Sequence, residues 1–188
     1  MRASILSCLV ASLLLVPASR AEELPDVCSL LPAAEIEAIQ GEPVAATKGS
    51  APERAAFAVS QCFYTLPTFT RSISLELTMR SAKDEVGPRE HWRRVFHGPR
   101  EAPQSSTRAS GREAAVDADA PRPVGGVGDE AFWTGNSLVG ALYVLKGDAY
   151  LRISIGGAED ASIRIKKTKR LAKVALKQLH SSDKGVAS

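Results

Sequence analysis

Residues 141–155 read Ala-Leu-Tyr-Val-Leu-Lys-Gly-Asp-Ala-Tyr-Leu-Arg-Ile-Ser-Ile. Two strand-like runs, 141–145 and 149–155, flank Lys146-Gly147-Asp148, a short glycine-containing connection of the kind that joins antiparallel strands. In the second run Ala149, Leu151, Ile153 and Ile155 alternate with Tyr150, Arg152 and Ser154, which describes a strand with one covered and one wet face. The first run carries Leu142, Tyr143, Val144 and Leu145 consecutively, fitting a more central strand. Residues 72–80 repeat the alternation, with Ile73, Leu75, Leu77 and Met79 set against Ser72, Ser74, Glu76, Thr78 and Arg80.

Around this hairpin the other elements fall into place. Residues 59–66 form a strand that carries Cys62, Phe63 and Tyr64, and residues 42–48 an edge strand weakened by Pro43. Residues 32–40 read as a helix, with Pro32 at its start, Glu35 and Glu37 near its positive end and Gly41 as its stop. Residues 88–97 read as a second helix whose buried stripe is Trp92, Val95 and Phe96. A final helix spans residues 160–180, with Ile165, Thr168, Ala172, Ala175, Leu176 and Leu179 on one face. The expected fold is α+β: an antiparallel sheet of about five or six strands, with the first and last helices packed on one face. One domain, residues 22–180, accounts for the chain, with a long loop or insertion at 98–123, a functional lid being one reading of it, and a frayed tail at 181–188.

The N-terminus has its own logic. Arg2, the apolar residues 5–16 and the small residues Ser19 and Ala21 form a signal-peptide pattern over residues 1–21. The apolar core falls short of the roughly 20 residues a membrane span needs, so the expectation is an exported protein, periplasmic or secreted, with no membrane anchor after cleavage. Cleavage would remove Arg2 and Arg20 and no acid, lowering the formal charge from +3 to +1. A nearly neutral chain gives no global case for nucleic acid. Cleavage would also remove Cys8 and leave Cys28 and Cys62 as an even pair; in an oxidising compartment a structural disulfide is expected.

The search for chemistry returns little. Gly126-Val127-Gly128-Asp129-Glu130-Ala131 matches the letters of a dinucleotide fingerprint, but it follows Pro-rich sequence and leads into strand-like Phe132-Trp133, so a tight glycine turn is the better account. Asp129 and Glu130 are adjacent carboxylates, and neighbours in a strand point to opposite faces; turn capping by Asp129 competes with any acid–base role. His91, His97 and His180 lack metal-ligand spacing, and no cofactor, metal or catalytic constellation is identified. The strongest charge signal is the last helix, where Arg164, Lys166, Lys167, Lys169, Arg170, Lys173 and Lys177 occur without an acid. Lys166, Lys169, Arg170, Lys173 and Lys177 share the face opposite the apolar stripe, either as a solvated surface or as a dock for an anionic partner.

Cys28-Ser29-Leu30-Leu31-Pro32, Ala34-Glu35-Ile36 and Gly41-Glu42-Pro43-Val44, followed by Gln61-Cys62-Phe63-Tyr64 and the glycine segment at 126–131, resemble in the same order the landmarks of a domain-of-unknown-function family. Its members are small secreted lipoproteins best represented in actinobacteria. The resemblance implies a single α+β envelope domain with a paired Cys and no assigned activity; the lipobox of that family is absent here. Three function classes follow. The first is a non-catalytic binding domain of the envelope, using a wet sheet face (Tyr64, Glu76, Tyr150, Arg152) or the basic helix. The second is a hydrolase-like enzyme with Asp129, Glu130 and His91 near the glycine turn. The third is an inhibitor or accessory subunit of another exported protein.

Overall fold

The computed structural model describes residues 25–50, 53–54, 57–81, 85–99, 120–136, 139–157 and 159–185, the side chains of 53–54 and 181–185 excepted. The expected signal peptide and residues 100–119 of the expected long loop lie outside the described residues. The fold is α+β. A short 3-10 turn, Val27–Leu30, leads into α1, Ala33–Gln40. The strands β1, Ala46–Gly49, β2, Glu53–Arg54, β3, Phe57–Thr65, and β4, Ile73–Arg80, follow. Helix α2, Pro88–His97, separates them from β5, Arg122–Pro123, β6, Glu130–Gly135, β7, Gly140–Lys146, and β8, Ala149–Ile155. The last element is α3, Ala161–Gly185.

Among the described residues eight strands join one antiparallel sheet in the order β1-β3-β4-β8-β7-β6-β5, with β2 lying beside β1 along β3. The sheet is larger than the sequence pattern predicts because β2 and β5 are two residues long, too short to show a period. It consists of two meanders, β1 to β4 and β5 to β8, that meet where β4 pairs with β8. That pairing occupies the middle, and β6 is next to the edge strand β5. Helix α3 also runs to Gly185, five residues into the expected tail.

Strand periodicity divides the residues cleanly. Ile73, Leu75 and Leu77 of β4, Leu151, Ile153 and Ile155 of β8, and Leu142 and Val144 of β7 are buried in one cluster. Leu30, Leu31, Ile36 and Ile39 from the N-terminal segment and Leu171, Ala172, Ala175, Leu176 and Leu179 from α3 complete it. Helix α3 touches β7, β8 and α1. Helix α2 meets the alternate side chains: Trp92 packs against Tyr150 and Phe132, and Phe96 against Phe132 and Tyr143. Its stripe is narrower than expected, since Val95 is 55% exposed and only Trp92 is fully buried.

Two local features tie the N-terminal segment to the sheet. Cys28 and Cys62 form a disulfide, with Cα atoms 5.2 Å apart. Tyr64, two residues along β3 on the same side, donates its hydroxyl to the carbonyl oxygen of Cys28 at 3.0 Å. Tyr64 is 2% exposed, so it belongs to the core and not to a wet face; burial pushes its hydroxyl pKa up. The sequence misplaces it because Phe63 and Tyr64 are both aromatic, and alternation alone cannot choose between them. Nearby, Glu42 and Arg71 pair at 2.5 Å and the Arg71 guanidinium also donates to the Gln40 carbonyl. Replacing both cysteines by serine is expected to lower unfolding stability by about 3.8 kcal/mol, the chain-entropy value for a loop of this separation. Denaturant titration checks it, and a loss under about 1 kcal/mol would show that Tyr64 and the Leu30–Leu31 packing hold the segment without the bridge.

Candidate functional site

The strand registers arrange the side chains opposite the core in cross-strand rows. One row runs Phe63, Ser74, Ser154, Ala141, Thr134 across β3, β4, β8, β7 and β6. The next runs Gln61, Glu76, Arg152, Tyr143, Phe132, and a third runs Val59, Thr78, Tyr150, Leu145, Glu130. Helix α2 lies over the third row and reaches the second at Tyr143 and Phe132. In the first row Phe63, Ser74, Ser154 and Thr134 stay partly exposed among the described residues, and Ala141 is buried. The row's small central residues make a trough between the larger second row and two connections, the β3–β4 turn that holds Phe69 and the Gly156–Gly157 segment after β8. Two neighbouring cavities mark it, about 580 Å³ against Phe63, Phe69, Ser74 and Ser154, and about 460 Å³ against Thr134, Val139, Tyr143, Arg152 and Ser154. Ser154 borders both.

The trough's polar groups are held in place. Arg152 donates Nε to the Tyr143 hydroxyl at 3.1 Å, and its guanidinium carbon lies 5.8 Å from that ring. Phe96 of α2 braces the same tyrosine edge-on. Glu76 accepts from Gln61 Nε2 at 2.8 Å, and Ser154 donates its hydroxyl to the Gly140 carbonyl at 3.1 Å. Of the expected wet-face residues, Glu76 and Arg152 therefore stand together as cross-strand partners. Tyr150 is half-covered by α2, stacked on His91 with ring centroids 6.3 Å apart, and burial raises its pKa. Ser74, Ser154, Ala141, Thr134, Tyr143, Phe63 and Phe69 were not singled out by sequence. Alternation places most of them opposite the core, but only the register shows that the small ones align.

The glycine turn brings a different group together. Asp129 accepts from Lys146 Nζ at 2.8 Å, from the Gly147 amide at 2.9 Å and from Arg89 Nη2 at 3.1 Å. The hydrogen bond from Lys146 first, then those from Gly147 and Arg89, hold its pKa below the usual aspartate range against some burial. Asp148, across the turn, accepts from Arg80 and from the Arg89 amide. Asp129 thus joins the start of α2 to the β7–β8 turn. Gly128 is at φ 63°, where a β-carbon would meet the Leu145 carbonyl and Val144, so the turn needs glycine. Glu130 accepts from the indole of buried Trp92 at 2.6 Å and lies 2.9 Å from His97 Nε2. Burial pushes its pKa up, but the bonds from His97 and Trp92 and the nearby charges outweigh this and leave it lowered. The histidine that meets Glu130 is His97; His91 instead sits between Phe57 and Tyr150.

On α3, Lys166, Arg170 and Lys173 are exposed and make no ion pair with the described residues, Lys177 is exposed, and Lys169 is partly covered beside Gly126. Arg164 departs from the basic run. It is fully buried, donates to the Asn136 carbonyl at 2.6 Å and lies over Trp133. Its Nε and Nη1, like Trp133 Nε1, have no partner among the described residues. No group of three or more His, Cys, Asp and Glu side chains that could hold a metal ion occurs among the described residues, and no helix there is long and apolar enough to cross a membrane.

Because its folded pKa is lowered, Asp129 contributes stability that is present above the ordinary aspartate value of about 3.9 and is lost as pH falls through the lower folded value. Melting temperatures measured from neutral pH into acid should therefore fall more steeply for the parent than for Asp129→Asn, which starts lower at neutral pH. Parallel curves would remove Asp129 from the ties of α2.

No protein-family model matches the chain, and no match was found among curated proteins.

Proposed function

We propose that this is an exported, non-catalytic binding domain of the cell envelope, and that its ligand lies in the trough across β3, β4, β8, β7 and β6. In this reading residues 1–21 are a signal peptide, the mature domain is periplasmic or secreted, and the Cys28–Cys62 disulfide supports an oxidising destination. The layers are α1 with α3 on the core face and α2 on half of the other face. The family of small secreted lipoproteins that the sequence resembles fits the same setting.

The observation that carries the proposal is the open row itself. Helix α2 covers the third row and the Tyr143–Phe132 end of the second, whereas Ser74, Ser154 and Thr134 remain partly exposed beside two cavities whose sizes fall in the ordinary range for ligand sites. Phe69 and Val139, the two most exposed large hydrophobic side chains among the described residues at 69% and 67%, border these cavities. The acid–base alternative has the Glu130–His97 pair in its favour, but one Glu130 oxygen is taken by Trp92 and neither cavity of the trough is bordered by Glu130 or His97.

Ser154→Trp, an outward change on a central strand, is expected to fill the trough while leaving the melting temperature nearly unchanged. A fragment screen followed by amide chemical-shift mapping should place hits around residues 74, 141, 152 and 154 in the parent and lose them in the variant. Hits grouped at His97 and Glu130, or along the α3 lysines, would refute the assignment of the binding surface.

A further inference from the structure

Resting on that reading of the open face, we propose that the trough takes an acidic oligosaccharide, with Arg152 receiving a carboxylate of the sugar chain. The first argument is what the floor can offer. The trough crosses β4, β8 and β7, each flanked by paired strands on both sides, so their backbone groups are committed to the ladder. A peptide cannot add here as another strand, since that mode needs a free sheet edge. Recognition must come from side chains, and the hydroxyls that border the cavities include those of Ser74, Ser154, Thr134 and Tyr143. Such groups suit a ligand rich in hydroxyls.

The second argument is length and shape. From Phe63 to Thr134 the row spans four strand spacings, or roughly 19 Å at about 4.8 Å each. This is a track for several linked rings and exceeds what a single small metabolite would fill. At one end Phe63 and Phe69 lie with ring centroids 6.1 Å apart, and Phe69 presents an open apolar ring against which the C–H face of a pyranose can pack.

The third argument is charge. Tyr143 holds only Nε of Arg152; the two terminal nitrogens have no acceptor among the described residues. A guanidinium fork presented this way matches a carboxylate. Glu76, the nearest acid in register, is held by Gln61 on the far side and borders neither cavity, so a ligand carboxylate fits on the Tyr143 side of Arg152, within the cavity that Arg152 itself borders.

The probes are tetragalacturonate, neutral maltotetraose and an acidic tetrapeptide, each titrated into the mature disulfide-bonded protein by calorimetry and amide chemical-shift mapping. Tetragalacturonate should bind with shifts at residues 74, 152 and 154. Maltotetraose should bind roughly tenfold more weakly or worse, the scale of losing a charge-assisted paired contact. Arg152→Ala should reduce uronate binding to the neutral level, and Ser154→Trp should abolish both. The double variant Lys166→Glu/Lys173→Glu, on the opposite helix, should change nothing. If the tetrapeptide occupies the trough as tightly as the uronate, or fragments bind there but no sugar does, the ligand class is wrong while the binding face stands. If uronate binding is lost in the lysine variant and kept in Arg152→Ala, both the ligand assignment and the binding face are overturned.

Discussion

The pairing of β4 with β8 is the constraint on which the rest depends. It joins two meanders that are otherwise separate sheets, and it does so through Leu75 opposite Ile153 and Leu77 opposite Leu151 on one side. The same register sets Ser74 opposite Ser154 and Glu76 opposite Arg152 on the other. Because side chains alternate with a period of two, a slip of β8 by one residue against β4 would carry Arg152 into the core. Hydrophobic burial therefore fixes the polar row as firmly as it fixes the core, and no separate device is needed to build the trough.

Helix α2 then decides how much of that second face remains available. Its hold combines packing of Trp92 and Phe96 on Tyr150, Phe132 and Tyr143 with the anchors Asp129, Asp148 and Glu130. The adjacent carboxylates at the glycine turn are thus explained by attachment: one reaches the start of the helix and the β7–β8 turn, the other its middle and end. Phe96 extends this order into the open region by bracing Tyr143, which in turn orients Arg152.

Much of this architecture was legible in the sequence. Strict alternation gave β4 and β8, the short glycine connection gave the β7–β8 hairpin, and Pro88 marked the first residue of α2. The disulfide followed from cysteine parity. What was not legible depends on pairing. Alternation assigns a residue to a face but not to a neighbour, so Ser74, Ser154, Ala141 and Thr134 looked like scattered small residues. The same gap hid the placement of α2, whose aromatic stripe did not say which surface it would cover. The burial of Arg164 is not legible for a related reason: in a basic run it looks like its neighbours, and Trp133 and Asn136, brought from the β6–β7 hairpin, draw it inside.

The ends of the sheet carry a consequence of their own. One border is β5, just Arg122–Pro123, and proline has no amide hydrogen to offer. The other is split between β1, four residues with Lys48 and a terminal glycine, and the two-residue β2. Among the described residues each border is therefore short and broken. A sheet this wide is a natural template for self-assembly into longer sheets, and brief, interrupted edges are how such growth is opposed. The strands that add least to the core are thus the ones that offer an approaching chain the least to pair with.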